Sequence, residues 1–296
     1  MQPHAESLPE TPSVAEGEVE PEPGPGLRAV SSAEQGQAAP EPSGMAVDSH
    51  CHLFLIEDDT ARVLARAHAA GVGTVVCVGI DPDSSRRSAE LAESFRGVFA
   101  TAGVHPHTAS AFDRRAGTLI EELLANPMVV AVGETGLDLY RRLSSPEDQQ
   151  RAFRTHIALS RETGKPLVVH VRDAWEDSLA ILEQERAERV VLHCFSGKEQ
   201  VAMEAQARGY FVSFAGNLTY PKAYHLRRSA SLIDPARLLA ETDSPFLAPQ
   251  AVRGTSNSPS NLIHVLSQLA ETRGEAQESI VQSTSEAAVT AFPLIR

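Results

Sequence analysis

Two histidines two positions apart, in "VDSHCHL" at residues 47–53, place His50 and His52 where a β-strand would turn both side chains to one face. Two imidazoles on one face form a chelate for a divalent cation. Asp48 shares their parity one layer deeper and is expected to accept from an imidazole, fixing its tautomer. Four more residues of ligand type stand in apolar stretches elsewhere: Glu134 in "GETGLDLY", His170 in "VVHVRDA", His193 in "LHCFSG" and Asp243 in "ETDSPFL". Cys194 has the opposite parity to His193 and is expected to point outward, which leaves a thiolate out of the set. Taken singly, each has an ordinary explanation: a satisfied core histidine, a turn carboxylate, or a helix cap for Asp243. Their shared position at the ends of apolar runs has none, and it points to a metal centre.

The runs that must position these residues are "MAVDSHCHL" (45–53), "GVGTVVCVGI" (71–80), "GVFATAGVHP" (97–106), "MVVAVGETGLD" (128–138), "KPLVVHVRD" (165–173), "RVVLHCFSG" (189–197), "GYFVSFAGN" (209–217) and "LLAETDSPF" (238–246). Each reads as a strand buried on both faces, and helical patterns such as "DDTARVLARAHAA" and "SPEDQQRAFRTHIALSRETG" separate them. Eight strand-plus-helix units in about 250 residues predict an α/β fold, a (β/α)8 TIM-type barrel, ahead of an open doubly wound sheet. No GxGxxG turn or GxxxxGK[ST] loop supports a nucleotide fold. In such a barrel chemistry sits at the carboxyl ends of the strands. That is where His50, His52, Glu134, His170, His193 and Asp243 fall. His105, in "GVHPH" at the end of strand 3, is expected to contact substrate or a metal ligand, with a packing role as the alternative. Arg172, two after His170, is expected to contact phosphate, with a salt bridge to Asp138 as the alternative.

Residues 1–44 hold eight Glu against one Arg and no aromatic, so they are expected to form a disordered acidic Pro/Glu-rich tail ahead of the barrel at 45–296. Met45 opens the folded part and offers a second possible start. The formal charge of −13 argues against a basic docking face for duplex DNA or an anionic membrane, but eight Glu less one Arg put about −7 of it in residues 1–44, which leaves the barrel only mildly acidic, and divalent cations would add positive charge. Cys51, Cys77 and Cys194 form no CxxC pair. With no membrane-length apolar run and no secretion signal, the sequence is expected to be a soluble cytoplasmic protein with no evident obligate protein partner.

In the order and spacing of "DSHCHL", "GVHPH", "GETGLDLY", "VVHVRDA", "LHCFSG" and "ETDSPFL", residues 46–292 resemble the TatD family of metal-dependent hydrolases. The resemblance implies two divalent ions (Zn, Mn or Mg). His50, His52 and Asp243 would hold the first, His170 and His193 the second, and Glu134 would bridge them. It also implies deoxyribonuclease activity, 3′ to 5′ on single-stranded DNA or a short oligonucleotide. Asp243, a strand-end carboxylate beside the metal, is expected to take the proton of the attacking water, with Glu134 as the other catalytic group and His105 and Arg172 at the substrate. A hydrolase of a small amide, lactone or phosphoester on the same barrel is the alternative. Aromatics make up 5% of the chain, which argues against a long stacking platform. "FVSFAGNLTYPKAYHLRR" (211–228) offers Phe214, Tyr220, Lys222 and Arg227 as a place to hold a strand end, or else an ordinary loop and helix. Two departures from the family pattern stand out. "RGTSNSP" (253–259) lacks part of a basic stretch, and Ser285 and Glu286 replace an Asn-Ala pair.

Overall fold

The computed structural model describes residues 44–292. The predicted acidic tail lies outside the described residues except for Gly44. Eight parallel strands pair in chain order, β1 (Ala46–Cys51), β2 (Val72–Val78), β3 (Val98–Ala102), β4 (Val129–Asp138), β5 (Leu167–Arg172), β6 (Val190–Leu192), β7 (Phe211–Phe214) and β8 (Leu238–Ala240). This is the (β/α)8 barrel that the alternation of apolar runs and helical patterns predicts, and every strand falls inside its predicted run. Valine, alanine and leucine fill the strands because both faces are buried, one inside the barrel and one under helices.

The connecting helices begin and end where the sequence carries the usual signals. In α1 (Thr60–Ala69), Asp59 accepts from the Arg62 N–H. In α4 (Pro146–Thr163), Ser145 accepts from the Asp148 N–H, Pro146 opens the first turn and Gly164 ends the helix with a left-handed φ of 67°. α2 (Pro82–Ser94) starts with a capping box between Asp81 and Ser84. The remaining helices are α3 (Arg114–Leu124), α5 (Trp175–Gln184), α6 (Glu199–Ala207), α7 (Tyr224–Leu232), α8 (Leu262–Arg273) and α9 (Gln277–Ala291). α9 adds Ala287, Ala288 and Ala291, and Phe292 just beyond it joins them, in the cluster with Val47, Val76, Val130, Val168, Val191 and Leu239. Ser285 Oγ donates to the Met45 carbonyl at the start of β1, so the last helix plugs the amino-terminal end. That is a packing role for the departure at Ser285.

The seam between β8 and β1 closes beyond the end of β8. Cys51 bridges Ser244, His52 N–H donates to the Ser244 carbonyl at 2.7 Å, and Asp243 N–H donates to the His50 carbonyl at 2.9 Å. Asp48 clasps this seam. Its buried carboxylate accepts from Thr242 N–H at 2.9 Å and from Thr242 Oγ1 at 2.6 Å, and burial still pushes its pKa up to about 7. The expectation that Asp48 orients an imidazole is therefore corrected. Strand parity was right about its face, but its carboxylate is taken up by the seam, and its contact with His50 is to the backbone N–H at 3.4 Å. Replacing Thr242 with Val keeps the shape and removes one donor to a buried carboxylate, an expected loss of about 1–3 kcal/mol. The melting temperature should fall by roughly 2–4 °C per kcal/mol in a domain of this size. An unchanged melting temperature would show that the clasp does not stabilise the seam.

Candidate functional site

The carboxyl ends of the strands bring all six predicted ligand residues to one space. His50 in β1 and His52 just past it are buried, with their Nε2 atoms 3.3 Å apart. Glu134 lies within β4, and its two carboxylate oxygens face different partners. Oε2 is 3.4 Å from His50 Nε2 and 3.9 Å from His52 Nε2. Oε1 is 2.9 Å from His193 Nε2 and 3.0 Å from His170 Nδ1. Asp243 Oδ1 joins the first group, 3.5 Å from His52 Nε2 and 3.9 Å from His50 Nε2.

Local backbone shape makes this convergence possible. The pairing of β4 with β5 slips between Val132 and Thr135, which sets Glu134 toward the barrel axis. Gly133 and Gly136 flank it with φ of 131° and 134°, and a Cβ on Gly136 would lie 2.1 Å from the His170 carbonyl oxygen, so only glycine fits. Asp243 follows β8 with a left-handed φ of 52°. Its loop is held by the buried Asn257, whose Nδ2 donates to the carbonyls of Thr242 and Phe246 at 2.8 and 2.7 Å.

Burial alone would raise the pKa of Glu134, yet His193, His105 and His170 outweigh it and hold the carboxyl well below the usual range. Burial likewise opposes ionisation of Asp243, and the His52 contact with the nearby imidazole charges holds its pKa down. His193 runs the other way. Burial lowers its pKa, but Glu134 and Glu241 together lift it well above the ordinary histidine value. The site is thus built for positive charge held between carboxylates.

The donor chemistry suits divalent cations. Imidazole nitrogens meet at 3.3 Å twice, His50 with His52 and His170 with His193, a spacing two lone pairs tolerate only with a proton or cation between them. The groups His50–His52–Glu134, His50–His193–Glu241 and His105–Glu134–His170 each bring ligand atoms within 4.8 Å of one another. Tautomers separate the ligands from the rest. His52 Nδ1–H donates to the Val78 carbonyl at 2.8 Å and His193 Nδ1–H to Glu241 Oε1 at 3.1 Å, which leaves each Nε2 lone pair facing inward. His105 differs, because its Nδ1 accepts from His107 N–H at 3.0 Å. Its proton then sits on Nε2, 3.4 Å from Glu134 Oε1, so it offers a donor rather than a lone pair.

Comparison with known proteins agrees with this layout. The family described as TatD related DNase matches residues 47–293. This chain belongs to the TatD family of metal-dependent hydrolases. Relatives include an uncharacterized metal-dependent hydrolase, YabD, of Bacillus subtilis, 38% identical over 84% of this chain and 99% of its own. A 3′-5′ ssDNA/RNA exonuclease TatD of Cronobacter sakazakii is 35% identical over 80% of this chain and 92% of its own. The crystal structure of YJJV, a TatD homolog from Escherichia coli K12, matches with a TM-score of 0.78 at 29% identity, over 84% of this chain and 98% of that one.

Within this TatD barrel several expectations need revision. Cys194 does not follow strand parity, because β6 ends at Leu192 and Cys194 has a φ of 44°. It is half-buried near Asp243, Glu241 and Glu134, and burial together with those carboxylates raises its thiol pKa well above the ordinary value, so it stays protonated. Asp243 caps no helix. The Arg172–Asp138 salt bridge does not form. Asp138 is buried and accepts from the N–H groups of Tyr140 and Arg141, with His107 Nε2 2.7 Å away and His170 Nε2 3.6 Å away. Arg172 is exposed and lies over the Tyr140 ring at 4.2 Å. Phe214 is core, and Arg227 donates to the carbonyls of Leu218, Tyr220 and Pro221, so that segment reads as loop and helix. Among the described residues no helix is long and apolar enough to cross a membrane.

Sequence reasoning missed Glu241 and His156. Glu241 stands two residues before Asp243 in "ETDSPFL", a spacing that could have drawn attention to it. His156 gives no such signal. It sits buried in α4, where Nδ1–H donates to the Ala152 carbonyl at 2.7 Å and Nε2 accepts from Val104 N–H at 3.0 Å, tying down the residue before His105. The bond to Val104 requires the neutral ring, because a protonated Nε2 cannot accept, and burial lowers the pKa to about 4 although the Ala152 carbonyl favours the charged form. Its folded pKa is below the unfolded value near 6.5. This contribution is therefore complete above pH 6.5 and lost as pH falls toward 4, about 3 kcal/mol in all. Denaturant unfolding of His156→Gln should show a shallower loss of stability between pH 6.5 and 4 than the unsubstituted protein; identical profiles would contradict the assignment.

Proposed function

We propose that this TatD-family hydrolase trims single-stranded DNA from its 3′ end at a centre of two divalent cations, Zn, Mn or Mg. The observation that carries the reading is the division of Glu134: one oxygen faces His50 and His52, the other His170 and His193. A carboxylate so placed can bridge two cations and offset their repulsion, which a neutral imidazole cannot. His50, His52 and Asp243 would hold one ion and His170 and His193 the other. Such ions, when bound, acidify a water and neutralise charge building on a phosphoryl oxygen.

The chain's own groups do the rest. Asp243, at the mouth beside His52, takes the proton from the attacking water. His105 Nε2–H keeps Glu134 oriented or donates to the substrate. Arg172, exposed over Tyr140, offers its guanidinium to a backbone phosphate.

A nucleic-acid substrate is supported by the rim and by the relationship to the 3′-5′ ssDNA/RNA exonuclease TatD of Cronobacter sakazakii. Three arginines lie over aromatic rings: Arg172 at the end of β5 over Tyr140, Arg253 beyond β8 over Tyr220, and Arg87 of α2 over Phe54. Tyr140 is 61% and Phe246 51% exposed, and the Phe246 ring centroid is 5.9 Å from that of His52. Paired aromatic and guanidinium groups suit bases and phosphates of a few terminal nucleotides, and they make up in placement for the low overall aromatic content.

The test is incubation with Mg²⁺ or Mn²⁺ and a single-stranded oligonucleotide labelled at its 5′ end. A ladder shortening from the 3′ end is expected, at least 100-fold slower in Asp243→Asn with the melting temperature kept within a few degrees. An intact oligonucleotide alongside turnover of a small phosphoester or lactone would favour the other barrel chemistry. Wild-type-like rates in Asp243→Asn would remove that residue from the mechanism.

A further inference from the structure

His50 and His193 lie face to face, with ring centroids 3.8 Å apart and planes 15° from parallel. Both turn the same edge to the same neighbour, since each Nε2 faces an oxygen of Glu134. Their Nδ1 edges therefore lie on the far side of the stack, where Glu241 stands fully buried. Glu241 Oε1 is occupied, accepting from His193 Nδ1–H at 3.1 Å and from Cys194 N–H at 2.8 Å. Its other oxygen is free. Glu241 Oε2 and His50 Nδ1 are both buried without a hydrogen-bond partner, although Glu241, His50 and His193 bring ligand-type atoms within 4.8 Å of one another. No nitrogen of His50 is in hydrogen-bond or ion-pair contact with Glu241, but a buried acceptor and a buried donor left without partners on the same side of the stack are costly, and a shift that brings them together satisfies both.

We propose that Glu241 is a positioning residue shared by the two halves of the centre, taking His193 Nδ1–H on Oε1 and His50 Nδ1–H on Oε2. This rests on the two-cation reading above, in which His50 and His193 serve different ions. The two bonds fix both rings in the tautomer that aims the Nε2 lone pair at the cations, and the carboxylate charge makes both rings better donors. Two stacked imidazoles that each share a cation's charge repel one another. Glu134 before them and Glu241 behind them oppose that repulsion together. The two ions are thereby coupled through one side chain that touches neither.

Calorimetric titration of the metal-stripped, full-length protein with Zn²⁺ tests this. Glu241→Gln keeps an acceptor for Cys194 N–H and His193 but loses the charge, and both binding steps should weaken by about tenfold or more. The melting temperature of the metal-free variant should stay near that of the unsubstituted protein. Weakening of one step alone would mean that Glu241 serves only His193, and weakening of neither would leave it a loop anchor; each result overturns the coupling. Fewer than two ions bound by the unsubstituted protein would contradict the two-cation reading itself, and the coupling with it. Should the variant fail to fold, a Zn-loaded crystal structure of the unsubstituted protein decides. Glu241 Oε2 is expected at hydrogen-bond distance from His50 Nδ1, about 2.7–3.2 Å, and a water or another residue holding that nitrogen would overturn the proposal.

Discussion

A closed parallel barrel must join its last strand to its first, and here the join and the active centre are the same stretch of chain. β8 stops at Ala240, and contact with β1 is completed by Thr242, Asp243 and Ser244. The Asp48 carboxylate holds Thr242 across this gap, so closing the barrel delivers Asp243 to the side of His50 and His52. Side chains facing the centre inherit their positions from that closure. If the seam opened, Asp243 would leave the side of His50 and His52.

Charge balance is the second constraint. Asp48, Glu134 and Glu241 lie at or below 2% exposure, and among them they are met by imidazoles and hydroxyl or backbone N–H groups. An array of this kind contributes little net stability, because desolvation offsets much of the attraction. It makes sense as a pre-set cage for cations, with Glu134 dividing its oxygens between two clusters and Glu241 standing behind the stacked rings. The rest of the barrel, valine and alanine inside and helices outside, provides the rigid frame that holds the cage in register.

Much of this was legible in the sequence because strands buried on both faces leave continuous apolar runs, and period-two parity places His50 beside His52. Glu134 was legible too, framed by Gly133 and Gly136. What escaped depends on partners far apart in the chain or on backbone that leaves the strand. Asp48 meets Thr242 across 194 positions, and parity cannot name such a partner. Cys194 escaped because β6 ends two residues earlier and parity stops applying there. Arg172 found Tyr140 instead of Asp138 because His107 and two backbone N–H groups had already taken that carboxylate. His156 looked like one more polar residue of α4 until its nitrogen was seen to hold Val104.

The central claim is that Glu134 divides one pocket between two cations. Anomalous diffraction from crystals grown with Mn²⁺ or Zn²⁺, recorded on either side of the metal absorption edge, tests it most directly. The account predicts two peaks about 4 Å apart, one touching His50, His52 and Asp243, the other His170 and His193, with Glu134 in contact with both. A single peak, or two peaks of which only one touches Glu134, would contradict it.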